Sequence, residues 1–168
     1  MVKFWNLIYY FTYIGDYKLH LWFNKINPIL LLYKLGSSKK RFAKMGIDDP
    51  VKHLNKSFKK LNGGISSFRA GGLMILLSVL FCFGIGFIYI GLFRIRYFNG
   101  NIFILVFPIA LFLNYFLIFR QNKYLRYFKE FDKMDAPAKK KWSLISLITI
   151  LGIFIFSVCS FIFMNYRV

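Results

Sequence analysis

The sequence predicts an all-α membrane protein, with three transmembrane helices preceded by short amphipathic or interfacial helices on the cytoplasmic side. Three observations carry that reading. Residues 70–93 hold no charged side chain and lie between Arg69 and Arg94. Two more uncharged apolar runs follow, at about 102–119 and 142–164. Lys and Arg number 24 against 6 Asp and Glu, and they crowd against those runs. Hydrophobic residues make up 58% of the chain, above the roughly half expected of a soluble domain. The expected division is a basic cytoplasmic or interfacial region over 1–69 and a three-span membrane domain over 70–168, with a cytoplasmic loop at 120–141.

The run at 70–93 organises the rest. A bilayer core of about 30 Å needs roughly 20 apolar residues as a helix. This run contains fourteen Leu, Ile, Val and Phe residues. At about −0.3 to −0.6 kcal/mol each, they favour insertion by several kcal/mol.

Taken in order, the chain starts with a polar stripe. Lys3, Asn6, Tyr10, Tyr13, Tyr17, His20 and Asn24 recur at spacings of three and four, so they share one helical face. Phe4, Leu7, Phe11, Ile14 and Leu21 lie on another. The uncharged run between Lys3 and Asp16 is too short to span. Two readings stand open: an interfacial helix with its tyrosines at headgroup level, or a helix packed on the spans or on a partner. No small-residue cleavage site follows Gly15, so no signal peptide is expected. Asn27-Pro28 signals a helix start and Gly36 a stop. Ser37 to Arg41 form a short basic patch.

Asp48-Asp49-Pro50 is the clearest helix start before the spans, with Asp49 as the cap. Val51, Leu54, Phe58 and Leu61 then make an apolar stripe. Lys52, Lys56, Lys59 and Lys60 cover the remaining surface, together with His53. This basic amphipathic helix suits an anionic bilayer surface. The alternative is a solvated face on a small cytoplasmic bundle.

Asn99-Gly100 supplies the turn after the first span. Pro108 is expected to bend the second, and Asn114 to hydrogen-bond a neighbouring helix. From Arg120 to Met134 the helix is expected to continue into water, with Tyr124, Tyr127, Phe131 and Met134 as its apolar stripe. Arg126 and Glu130 form a candidate i, i+4 pair. Ala136-Pro137 is expected to break that helix, and Lys139, Lys140, Lys141 and Trp142 mark the next membrane boundary.

Charge gives orientation. Thirteen Lys and Arg precede the first span, eight lie between the second and third, and three lie on the other side. The positive-inside rule then places the N-terminus in the cytoplasm and the C-terminus outside. A bacterial cytoplasmic (inner) membrane is the expected location. Lipid with anionic headgroups is the expected counter-charge, and nucleic acid is not an expected partner.

Candidate sites are few. Cys82 and Cys159 lie inside spans, with no Cys/His cluster, and no cofactor or metal site is expected. No catalytic motif appears, so an enzyme is not expected. The lipid-surface candidates are Lys52, Lys56, Lys59, Lys60, Lys139, Lys140 and Lys141. Helix-packing candidates are Ser78, Cys82 and Gly86 at four-residue spacing, Asn114, and Ser146, Thr149 and Gly152 at three-residue spacing. The function these features point to is a non-enzymatic interaction, accessory or immunity-type module with a protein partner or self-association. The alternative is an oligomeric, holin-like pore.

Overall fold

Helix α1 runs over Val2–Ile26 in a computed structural model that describes residues 1–33, 35–95 and 101–167. At 25 residues it is no short helix. A single turn, α2 (Ile29–Leu32), and α3 (Gly36–Lys44) follow. Gly36 therefore opens a helix and does not close one. Leu35 is extended, and its carbonyl accepts the Lys39 N–H at 3.0 Å, so the preceding residue is the cap.

Helix α4 spans Pro50–Lys59. Asp49 caps it as expected: one carboxylate oxygen accepts from the N–H groups of Val51 and Lys52, both at 3.0 Å. Those donors have no partner within the helix, and Pro50 at its first position has none to lose.

Three helical stretches are long and apolar enough to cross a membrane. The first, α5 (Ile65–Phe93), has 29 residues and begins before the uncharged run does. The second is α6 (Ile102–Asn114), prolonged by a π-helical turn over Tyr115–Phe119. The third, α8 (Ala136–Arg167), has 32 residues. All three turn large apolar side chains outward, among them Phe81, Ile85, Phe107, Phe112, Phe154 and Ile162. A soluble surface seldom carries so much exposed apolar area. Among the described residues no strand occurs. The Asn99-Gly100 turn lies outside the described residues.

One expectation about the second span is corrected. α6 contains Pro108 and stays helical through it, but the helix does not run on past Arg120. Gln121 and Asn122 are left-handed, with φ of 58° and 53°, which ends the helix. Asn tolerates that conformation better than most residues. A new helix, α7, then covers Lys123–Asp132. Pro137 likewise does more than break a helix. It sits in the first turn of α8, where its missing N–H costs nothing, and the Asp135 carbonyl accepts from Lys139 N–H at 3.0 Å.

The chain divides into two compact units. One comprises Met1–Phe11 with Gly71–Val168; the other comprises Thr12–Ala70. The first eleven residues thus group with the apolar helices. The core of their unit is centred on Tyr9, Met74, Ile118, Phe128 and Phe131, all essentially fully buried.

Candidate functional site

In the first unit the polar stripe of α1 faces inward. Asn6 is fully buried, and Tyr10 is nearly so. The reason lies in the end of the second span. A helix terminus leaves its last carbonyls unpartnered, and the left-handed break at Gln121 prevents the chain from covering them. Asn6 Nδ2 donates to the Leu117 carbonyl at 2.8 Å, and Lys123 Nζ donates to that of Phe116 at 3.1 Å. Next to them, Tyr10 donates its hydroxyl proton to Asp132, and Lys3 pairs with Glu130. Glu130 is therefore not the partner of Arg126, whose guanidinium lies over the Tyr127 ring at 5.5 Å.

Rings fill the space under these contacts. Phe128 lies 5.1 Å from both Tyr9 and Tyr10, and 5.9 Å from Tyr124. The buried stripe of α7 is Tyr124, Phe128 and Phe131, with Tyr127 only half-buried. Sequence periodicity named Tyr127 and missed Phe128; both satisfy a three- or four-residue spacing.

Asn114 is buried and uses both ends of its amide. Nδ2 donates to Ser78 Oγ and to the Ala110 carbonyl, both at 2.8 Å. Oδ1 accepts from Trp5 Nε1 at 3.1 Å. One side chain therefore ties α1, α5 and α6 together.

The small residues pack along a different line from the one their spacing suggested. Leu77, Gly84 and Gly91, seven apart on α5, are buried. A Cβ on Gly84 would lie 2.5 Å from the Phe156 ring, and one on Gly91 would lie 2.9 Å from the Phe163 ring. The facing line of α8 is also sevenfold: Ser146, Ile153 and Ser160 alternate with Ile150, Ser157 and Met164. A 3.5-residue period keeps two helices in register along a seam. A step of three falls about 60° short of a full turn, so Ser146, Thr149 and Gly152 drift apart. Ser146 is buried and Thr149 half-buried, whereas Gly152 is exposed with nothing within 4 Å of an added Cβ. Gly152 is thus no packing residue here. Ser78 is buried, and Cys82 and Gly86 are half-buried. Ser157 and Ser160 were missed; their sevenfold relation to residues 150 and 146 was the available signal.

The second unit also uses the α1 stripe internally. Tyr13 donates to the Lys59 carbonyl. The His20 imidazole stacks on Phe58 with ring centres 3.5 Å apart, and its Nε2 is 2.9 Å from Asn55 Oδ1. Asn24 Nδ2 donates to the same oxygen at 2.7 Å. Asp16 pairs with Arg69 at 3.2 Å. Val51, Leu54, Phe58 and Leu61 are half-buried, so the apolar stripe of α4 is partly covered, with Phe58 under the His20 ring. Lys52, Lys56, Lys59 and Lys60 stay exposed around it.

A cavity of about 240 Å³ is lined by Tyr33, Phe42, Ile47, Pro50, His53, Leu54, Ser57 and Ile65. The Ser57 hydroxyl donates to the His53 carbonyl at 3.1 Å, so its proton is not held by the imidazole as a nucleophile–base pair would require. Among the described residues, no group of three or more His, Cys, Asp and Glu is placed to hold a metal. In the first unit, Lys139 Nζ donates to the Asp132 carbonyl at 2.7 Å, closing the end of α7. Lys140 and Lys141 are exposed. Compared with protein-family models, curated proteins and solved structures, the chain matches none.

Proposed function

We propose that the chain is a small multi-pass protein of a bacterial cytoplasmic membrane that works as a non-enzymatic interaction module. An accessory or immunity-type subunit that engages a protein partner within the bilayer is the specific form. The observation that carries this reading is the state of Asn114. It is the one strongly polar side chain in the second apolar run, and it is buried with its amide spent on Trp5, Ser78 and Ala110. A residue so engaged is a clamp between helices, whereas a water-filled path needs polar groups free to meet ions. The outward faces of the three apolar helices then serve lipid and a partner.

The test is Asn114→Leu, which keeps the run hydrophobic. It should leave membrane targeting and host membrane potential as in the parent. It should also lower stability in detergent by about 1–2 kcal/mol, because two interhelical hydrogen bonds are lost. A parent protein that depolarises the membrane, with conductance altered by the substitution, would put the pore reading in its place.

The orientation proposed is N-terminus in the cytoplasm and C-terminus outside, supported by twenty-one Lys and Arg against three on the two sides. A reporter fused after Arg167 should register the external side; cytoplasmic activity there would overturn the orientation.

A further inference from the structure

Within the second unit, the face of α1 opposite its polar stripe is apolar and uncovered. Leu19, Trp22, Phe23 and Ile26 follow the i, i+3, i+4, i+7 spacing of one helical face. They are 49%, 55%, 50% and 60% exposed, and the Trp22 and Phe23 rings touch at 5.1 Å between centres. Lys18 and Lys25, both exposed, border this arc on the side of Trp22.

We propose that this arc is the surface by which the second unit docks on the headgroup region of a bilayer containing anionic lipid. The inference rests on the membrane reading above and identifies the surface involved. Three features select lipid over a protein. A strip of aromatic and aliphatic residues edged by lysines is the pattern of a helix lying in the interface, where Trp sits at headgroup level and lysine stems reach out to phosphate. Residues 12–70 carry twelve Lys and Arg against three Asp, so the unit is drawn to negative charge. Chain continuity supplies the third: the uncharged run of α5 begins directly after Arg69, so the bilayer stands at high effective concentration. On α4, the surface that sequence periodicity offered for this role, the apolar side chains are already half-buried. Its lysines add attraction without insertion.

The experiment uses the full chain reconstituted into vesicles of phosphatidylcholine, alone or mixed with phosphatidylglycerol. The Trp22 part of the fluorescence is isolated by difference against Trp22→Phe. It should be quenched by lipids brominated near the headgroup, and more strongly with phosphatidylglycerol present. Leu19→Ser combined with Phe23→Ser replaces exposed residues only. It should abolish that quenching without changing the melting temperature. Trp22 emission that stays open to an aqueous quencher, or is shielded only at high protein-to-lipid ratio as by a second copy, overturns the docking. Equal quenching in both vesicle types overturns the role of the lysines. Extraction of the protein from its vesicles by alkaline carbonate would sink the membrane reading itself. Retention there with Trp22 unquenched sinks this inference alone.

Discussion

Phe128→Ala should lower the apparent melting temperature of the detergent-solubilised protein by roughly 10 °C or more. Phe128 is fully buried, and removing a buried Phe side chain costs about 3–5 kcal/mol. Its ring touches Tyr9, Tyr10 and Tyr124, and such pairs contribute about 0.5–1.5 kcal/mol beyond burial. For a chain of this size, each kcal/mol corresponds to about 2–4 °C. The amides of residues 2–11 should also exchange with deuterium much faster, because that segment loses the surface it packs on. Tyr127→Ala, one position away but half-buried, should have a much smaller effect. Similar melting temperatures for the two variants would mean that the first turns of α1 are not held by this cluster.

Gly84→Leu and Gly91→Leu should each destabilise the pairing of α5 with α8 by about 1–3 kcal/mol, the usual cost of overfilling a packed site. At Gly84 the added atoms meet the Phe156 ring, which must turn out of the seam. At Gly91 an added Cβ would meet not only the Phe163 ring but also the Met164 Cα at 3.2 Å, so the helices themselves must part. With no water to exclude between helices in lipid, close contact is the main attraction, and spacing them apart forfeits it. Faster proteolysis in detergent and a lower melting temperature are the readouts. Gly152→Leu, in open space, should match the parent. If all three variants melt alike, the two helices are not joined along the Gly84–Gly91 line.

The long uncharged runs were legible because bilayer thickness sets a length that composition alone reveals. The Asp49 cap was legible because capping is local. The face of α1 was harder, since a polar stripe reads equally well as facing water or as facing other polar groups. Its make-up held a clue: Asn, Tyr and His dominate it, and between Lys3 and Lys18 it contains no Lys, Arg or Glu. Such side chains make single, directed hydrogen bonds, which suits a buried contact better than solvent. The break at Gln121 was not legible, because a left-handed residue outside glycine is a choice made by tertiary packing. The packing line of α5 and α8 was missed for a geometric reason. Spacings of three or four drift around a helix within two steps, and only the sevenfold spacing returns to the same side.

The partners of α1 in the first unit also set an order of events during synthesis. Trp5 and Asn6 bond to residues 109 and 111 positions later in the chain. At about 5–20 residues per second, the ribosome needs on the order of ten seconds to make that stretch. Throughout this delay the N-terminal helix exists without the groups that satisfy it. Its amide and hydroxyls must remain hydrated or be sheltered by the biosynthetic machinery until the end of the second apolar run emerges. This segment is thus made well before its partners and reaches its place only after they emerge.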